Sequence, residues 1–495
     1  MKTVCGIDLG TQSCKILVYD YEGHAIVAQS QASLAMIAQD DGTREQEATW
    51  FHDAVLACFS AIDPEIKATI RAIGVSGQQH GLVALDETGQ PLRPVKLWCD
   101  TTTAQECDEL TQAAGGKAAL LAETGMLMLP GYTAPKLLWL KKHEPEVFSR
   151  LAHILLPHDY INFLLTGEYS AEYGDASGTA LFDVRSRSWS SWICSLVDPK
   201  VEKCLPRLLK PEEAAGRVGA AAAREFGIPQ GAIVAAGGGD NMMGAIGTGC
   251  VRDGFLTMSL GTSGTLYGFS DTPLVDPAGN LAAFCASSGG WLPLLCTMNC
   301  TVASEQMRSL LDIDLARLNA LAEKAPIGAE GLVVLPFFNG ERIPNLPEGR
   351  ASVNGMTASN FNAANLARAA MESAVFGMKI GLDSFRALGF DAREIRIIGG
   401  GAKSRVWRSM AANLMGLPVR VPAGDEAAAM GAAIQALFCA EHAAGNAATI
   451  GELVDRHIAM EEGDGVEPDP SQAGRWEEAY AEYSKYLGAL SPLYR

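Results

Sequence analysis

The chain has 495 residues, 48% of them hydrophobic and 19% charged. It is too long for one ordinary domain of roughly 100–200 residues and is composed to bury large cores. A formal net charge of −18 and a pI near 4.9 argue against nucleic acid or an anionic membrane as a partner, so a phosphate-bearing ligand has to be attracted by local groups. No apolar run approaches the roughly 18–20 residues needed to cross a bilayer. The twelve cysteines form no CxxC, the eight histidines no HExxH, and MKTVCGIDLG leads straight into a strand. A reduced, cytoplasmic protein that folds without metal is expected.

Val4–Asp20 reads as strand, turn and strand: Asp8 ends the first apolar run, Gly10-Thr11 supply the turn, and Cys14–Tyr19 resume a β-rich stretch. Ala25–Gln29 has the pattern of a third strand. Thr49–Ile62 is patterned as an amphipathic helix, and Ala72–Ser76 as a strand running into Gly77-Gln78-Gln79-His80-Gly81. Leu82–Asp86 and Val95–Trp98 are further strands, the second ending at Cys99-Asp100 and three threonines. A histidine set among amides and glycines at a strand end suits sugar hydroxyls, as does a carboxylate, because both can pair with neighbouring hydroxyls. His80 and Asp100 are candidates on that ground, with a purely structural role as the alternative. Gly131–His143 is a turn with a helix beginning after Pro135, on which Lys136 is either an anion ligand or a solvated lysine. His158-Asp159 begins another helix, Tyr173–Thr179 reads as a loop, and Glu212–Phe226 as an alanine-rich helix.

The centre of the chain is Ile233–Gly249, IVAAGGGDNMMGAIGTG. A short buried strand meets three glycines, which strip side chains from the backbone just before Asp240. Asp240 is either a helix N-cap or a carboxylate exposed at the mouth of a strand, where open α/β sheets bind ligands. Phe255–Phe269 then repeats the opening pattern, with SLGTSG turning between two strands. Gly261-Thr262 fall over Gly10-Thr11, and two such hairpins opening two halves of the chain suggest internal duplication. Turns of this kind aim N–H groups and a hydroxyl at phosphate oxygens. There is no GxxxxGK[ST], and no GxGxxG between strand and helix. Beyond them come a strand at Leu332–Pro336, a polar loop at Asn339–Pro347, and a long helix over Asn362–Leu388. Ile395–Ile398 is a buried strand followed by Gly399–Ser404 and helix through Trp407–Met415, again a seat for an anion or nucleobase. Pro422–Ala432 leads into another helix, Glu461–Pro470 is an acidic linker, and Gly474–Leu487 closes the chain as a helix.

Taken together, these motifs resemble those of the FGGY family of carbohydrate kinases. GIDLGTQSCK at Gly6–Lys15 and SLGTSG at Ser259–Gly264 resemble its two phosphate motifs, and GGGAKS at Gly399–Ser404 its adenosine motif. Gly131–His143 and Ala351–Glu372 resemble its two signatures. GQQHG at Gly77–Gly81, DTTTAQEC at Asp100–Cys107 and GGGDN at Gly237–Asn241 resemble the xylulose kinase branch. Gln79 and Cys99–Thr102 stand where many bacterial members carry Met and Asn-Asp-Gly-Arg, and Ile343 and Asn345 where the family often has Thr and His.

The resemblance implies an α/β protein of two actin-like (ribonuclease H-like) ATPase domains around a cleft. Residues 1–250 and 251–445 would form the domains, and 446–495 a linker and helix packed on the second. It implies transfer of the γ-phosphoryl of Mg·ATP to D-xylulose, with ribulose, gluconate or fructose-type sugars as alternative acceptors and a non-kinase actin-like ATPase as a more distant one. Asp240 would be the general base, ionised at neutral pH if its carboxyl titrates near the ordinary value of about 4. Asp8 would sit near Mg²⁺ through water, and Gln79, His80, Trp98, Asp100 and Asn241 would hold the sugar. Gly10, Thr11, Gly261 and Thr262 would cradle phosphates, and Gly400, Gly401 and Ala402 would lie against adenosine. The partner implied is a small sugar, and the resemblance leaves room for a homodimer.

Overall fold

The computed structural model describes residues 1–494. Thr3–Leu9 and Ser13–Asp20 form the expected antiparallel hairpin, with Leu9 opposite Cys14 across the Gly10–Ser13 turn. Ile70–Gly77 lies parallel on the other side of Thr3–Leu9, and Ala25–Ser33 extends the sheet beyond the hairpin. Ala214–Arg217 and Ile233–Ala235 complete the far edge, and the two-residue strand Gly238–Gly239 pairs alongside Ile70–Gly77 to make seven strands.

The second sheet repeats the beginning of this plan. Phe255–Leu260 and Gly264–Gly268 form a hairpin, and Glu394–Ile398 lies parallel beside its first strand. Trp291–Thr297 and Ala282–Cys285 continue on one side and Val419–Arg420 on the other, giving six strands. The duplication legible in the two glycine turns is thus a duplication of hairpin plus parallel neighbour. These are two actin-like halves, and a cleft opens between them.

Two segments differ from the sequence reading. Glu212–Phe226 is not one helix: Ala214–Arg217 is an edge strand against Ile233–Ala235, and the helix starts only at Ala220, after Gly219. Tyr173–Ser177 is a helical turn, because the Glu172 carboxylate accepts hydrogen bonds from the Gly174 and Asp175 N–H groups and caps it. The long helix Ala363–Ala387 follows the expectation closely, capped by the Asn362 side chain.

The halves are joined by a helix, Ala427–Ala443, which comes from the second half of the sequence and lies flat on the first sheet. Small residues let the backbones touch. A Cβ on Gly6 would stand 1.8 Å from the Ala429 carbonyl oxygen, and one on Gly74 2.0 Å from that of Ala432. Against the helix Asp240–Thr248 the fit is reciprocal: a Cβ on Gly247 would meet the Ala427 oxygen and one on Gly431 the Met243 oxygen, both at 1.8 Å. Just before this helix, Glu426 pairs with Lys15 of the first hairpin at 2.7 Å. At the far end of the chain, Trp476 and Tyr483 of Ala473–Leu490 join the core of the second half.

Backbone oxygens cannot give way as a flexible side chain can, so Gly431→Ala is expected to cost about 3 kcal/mol. Gly488→Ala, in an exposed helical position with nothing within 4 Å of the added Cβ, should gain about 0.5–1 kcal/mol from the lower entropy of the unfolded chain. Denaturant titration of the two variants reads both signs.

Candidate active site

Parallel register brings the chemistry to one end of the first sheet. Asp8 pairs with Ser76, and Ser76 with Gly238, so three strands end side by side with Asp8, Gln78–His80 and Asp240 at their carboxyl ends. The glycines before Asp240 are demanded by space. Gly237 has φ 80°, and a Cβ on Gly239 would lie 2.7 Å from Gln79 Cγ. Asp240 is not the N-cap of its helix. Gly239 takes that position, and Asp240 is the first helical residue.

A cavity of about 220 Å³ lies in the cleft, and it brings together Gln79, His80, Trp98, Asp240 and Asn241. Asp240 Oδ1 accepts from the Asn241 backbone N–H at 2.7 Å and from Asn241 Nδ2 at 2.9 Å. Asn241 Nδ2 also donates to Gln79 Oε1 (2.8 Å), and Thr265 of the second half donates to Asn241 Oδ1 (3.3 Å). Burial, followed by the charge of Asp8, raises the Asp240 carboxyl to about 7 against the pull of the Asn241 hydrogen bonds. The ordinary value expected from sequence is therefore corrected upward. Asp8 is raised to about 6, chiefly by burial, with the Ser76 hydroxyl (2.8 Å) and Lys15 acting the other way.

His80 has φ 64°, a left-handed backbone that a side-chain-bearing residue adopts only when its surroundings enforce it. Lys136 Nζ (2.7 Å) and Thr133 Oγ1 (3.2 Å) both donate to its carbonyl oxygen, while its N–H donates to Asp175 Oδ1 at 3.4 Å. Lys136 is neither solvated nor an anion ligand. It is fully buried, and burial lowers its ammonium to about 7. The His80 ring packs edge-on to Tyr132, with centroids 4.8 Å apart, and burial together with Lys136 and Arg342 holds it well below the usual histidine range. It is a neutral imidazole, able to donate one hydrogen bond and accept another.

The nucleotide candidates lie beside this cavity. Trp98 spans the two regions, its indole N–H donating to Thr11 Oγ1 at 3.0 Å. In both turns the glycine N–H is used internally, Gly10 on the Ser13 oxygen and Gly261 on the Ser263 oxygen, which leaves the threonines and the residues after them to face a ligand. Ser263 and Ser259 reach the cavity from the second hairpin; Thr262 is not among its lining residues. Gly400 and Ala402 line a separate depression beside the Lys15–Glu426 pair, whereas Gly401 is packed beneath Leu260 and Trp407.

Asp100 is not brought to the cavity. Lys96 Nζ (3.0 Å), the Thr102 hydroxyl and N–H (2.6 and 3.0 Å) and the Arg44 N–H (2.9 Å) fill its carboxylate in a fully buried place. Burial alone would raise its carboxyl, but these donors together hold it below the usual range. Sequence reasoning missed Tyr132, Thr265, Phe284 and Arg342, all of which line the cavity. Arg342 had a usable signal, as the one arginine in the polar loop Asn339–Pro347. Asp100→Asn is expected to destabilise the fold by about 3 kcal/mol, because Lys96 stays buried with less compensation. Thermal unfolding should register this while KM for the sugar stays within about threefold.

Comparison with known proteins bears on the fold and the family. The N-terminal domain of the FGGY family of carbohydrate kinases matches residues 3–247, and its C-terminal domain residues 256–440. A xylulose kinase of Haemophilus influenzae is 44% identical over 99% of this chain and 99% of its own length. One of Streptomyces coelicolor is 38% identical over 88% of this chain and 87% of its own. Among solved structures, a ligand-bound xylulose kinase from Lactobacillus acidophilus superposes with a TM-score of 0.90 at 25% identity, covering 100% of this chain and 99% of that one. The chain belongs to the FGGY family of carbohydrate kinases and is a phosphotransferase with an alcohol group as acceptor.

Proposed function

We propose that this kinase transfers the γ-phosphoryl group of ATP to the terminal hydroxyl of D-xylulose, giving D-xylulose 5-phosphate and ADP, with Asp240 as general base. The observation that carries the reading is Asp240 itself: a carboxylate at a strand end, raised toward neutrality, in a cavity walled by amides, a neutral histidine and aromatic rings from both halves. The relatives named xylulose kinase supply the sugar.

The hydroxyl oxygen bonds to the γ-phosphorus as the bond to the β–γ bridging oxygen breaks, and the hydroxyl proton passes to Asp240. A carboxylate near pH 7 is well matched to that task. Phosphoryl transfer otherwise needs mainly alignment and charge stabilisation. Gln79, His80 and Asn241 would align the sugar, the Thr11 and Thr262 turns the phosphates, and Gly400 and Ala402 the adenosine. Asp8 fits Mg²⁺, since among the described residues only the Ser76 hydroxyl bonds its carboxylate and Mg²⁺ keeps most of its water beside one or two carboxylates. Bound with ATP, the ion would offset phosphate charge. Twelve cysteines standing as free thiols support a reducing, cytoplasmic setting.

ATP consumption across a panel of pentuloses, hexoses, polyols and sugar acids tests the substrate: D-xylulose should stimulate most, and stimulation by no sugar would overturn kinase activity on these acceptors. Asp240→Ala should lower kcat by about 10²–10⁴-fold and leave ATP affinity nearly unchanged; near-normal turnover removes Asp240 from the base role. Because the base must be deprotonated, kcat/KM for D-xylulose should fall on the acid side, with a limb at or below about pH 7, below it where a cation beside Asp8 counters that charge. The same raised carboxyl makes ionised Asp240 a cost to the fold, incurred as pH rises from the unfolded value of about 4 through the folded one. Asp240→Asn should therefore raise the melting temperature at pH 8 while activity is lost.

A further inference from the structure

The cavity has a second charged residue. Arg342 comes from the second half and lines the cavity with its guanidinium carbon 6.0 Å from the Trp98 ring centroid. Its neighbour Glu341 anchors the loop by accepting from the N–H groups of Met298 (2.6 Å), Asn299 (3.3 Å) and Arg342 (2.8 Å) and from the Asn299 amide (3.1 Å). The adjacent carboxylate is thus committed to the backbone, and among the described residues no carboxylate pairs with the Arg342 guanidinium. Lys96 and Lys15 nearby both have such partners. The positive charge of Arg342 acts on His80, Tyr132 and Cys296, whereas Asp240 is set by burial, Asp8, Asn241 and Asp175. Arg342 thus enters the cavity on one side, from the second half of the chain, and Asp240 on another, from a strand end of the first.

The chemistry of the acceptor says what Arg342 must meet. In a 2-ketopentose, the C5 hydroxyl that receives phosphate is also the one that closes the furanose ring. A sugar phosphorylated there is therefore in its open-chain form, with a free C2 carbonyl that accepts hydrogen bonds and donates none. The amides of Gln79 and Asn241 are already tied to each other and to Thr265. Among the described residues, the only side-chain hydrogen bond to the Arg342 guanidinium is the one with the Cys296 thiol, a weak acceptor, so most of its N–H donors are free for a ligand.

We propose that Arg342 is a specificity residue that reads the ketone end of the open-chain sugar, donating to the C2 carbonyl while the C5 hydroxyl faces Asp240. The assignment rests on the D-xylulose reading above. It makes the second half of the protein, and not only the strand ends of the first, responsible for telling a ketose from a polyol.

The test compares D-xylulose with xylitol and D-arabinitol, its two C2-reduced forms, as substrates or competitive inhibitors of wild type, Arg342→Met and Arg342→Lys. A charged hydrogen bond lost from the ketose should lower kcat/KM for D-xylulose about 10–100-fold in Arg342→Met, mainly through KM. KM for ATP and the constants for both pentitols should change little, so the ketose-to-pentitol preference collapses. Arg342→Lys should recover part of it. Equal losses on ketose and pentitols, or an unchanged preference, would overturn the assignment. No turnover of D-xylulose by the wild type would instead sink the substrate reading, and this assignment with it. Thermal midpoints check folding, and Arg342→Lys keeps the comparison open should Arg342→Met fail to fold.

Discussion

The Gln435 carboxamide accepts from the Gly237 N–H at 2.8 Å and donates to the Gly237 carbonyl oxygen at 2.9 Å, in a fully buried position. That two-point grip holds the turn from which Asp240 emerges. Three consecutive glycines lose more conformational entropy on ordering than any other sequence, and their buried backbone groups need partners. Asn162 supplies one more, donating to the Ala236 carbonyl oxygen at 2.8 Å. Gln435 can reach Gly237 only because its helix lies directly on the first sheet, and it lies there only because Gly6, Gly74 and Gly431 carry no side chains. The turn that carries Asp240 in the first half is thus fixed by a helix contributed by the second half of the sequence.

The same helix arrives with Glu426, which takes up Lys15 and leaves Asp8 and Asp240 without a full counter-charge. Elsewhere the structure compensates its buried charges, as Lys96 does for Asp100. Two buried carboxylates at the floor of a cleft, the charge of one raising the other, are costly to the fold. Under the proposed chemistry, that cost becomes useful when a cation and a hydroxyl proton reach the cleft together. The overall charge of −18 is no obstacle, because the field that matters is local and includes Arg342, which no carboxylate pairs among the described residues.

What was legible in the sequence was local. Gly10-Thr11, Gly261-Thr262 and Gly237–Gly239 announce turns by residue type alone, and the strands before them announce themselves by apolar, β-branched runs. What could not be read depends on distant partners. Lys136 sits in KLLWLKK with two other lysines, and only the His80 carbonyl, 56 positions away, decides that this one is buried. Asp100 had a warning in its own neighbourhood, since a threonine two residues on is the usual partner of an aspartate at a turn, and Thr102 takes that role. The error over Glu212–Phe226 came from counting alanines across Gly216 and Gly219, which break the helix into strand and turn. Tyr132 and Phe284 gave no signal, because aromatics at a cavity wall and in a core look alike in sequence.

The hydrogen bonding of the cavity divides unevenly between the halves. On the first side, His80 is held at both its carbonyl and its N–H, and the Trp98 indole is tied to Thr11. These groups are organised before any ligand arrives. On the second side, the Arg342 guanidinium meets only the weakly accepting Cys296 thiol among the described residues, and Thr265 makes one long contact to Asn241. Under the proposed chemistry, sugar contacts to this preorganised first side would be available in an open or a closed cleft alike and would favour neither state. By the same chemistry, sugar contacts to Arg342 and Thr265 would form fully only on approach of the halves, and their free energy would then favour closure. A kinase has to keep water from taking the phosphoryl group, and under the proposed chemistry free donors on the second half's wall would let the correct sugar, rather than the nucleotide alone, stabilise a closed cleft.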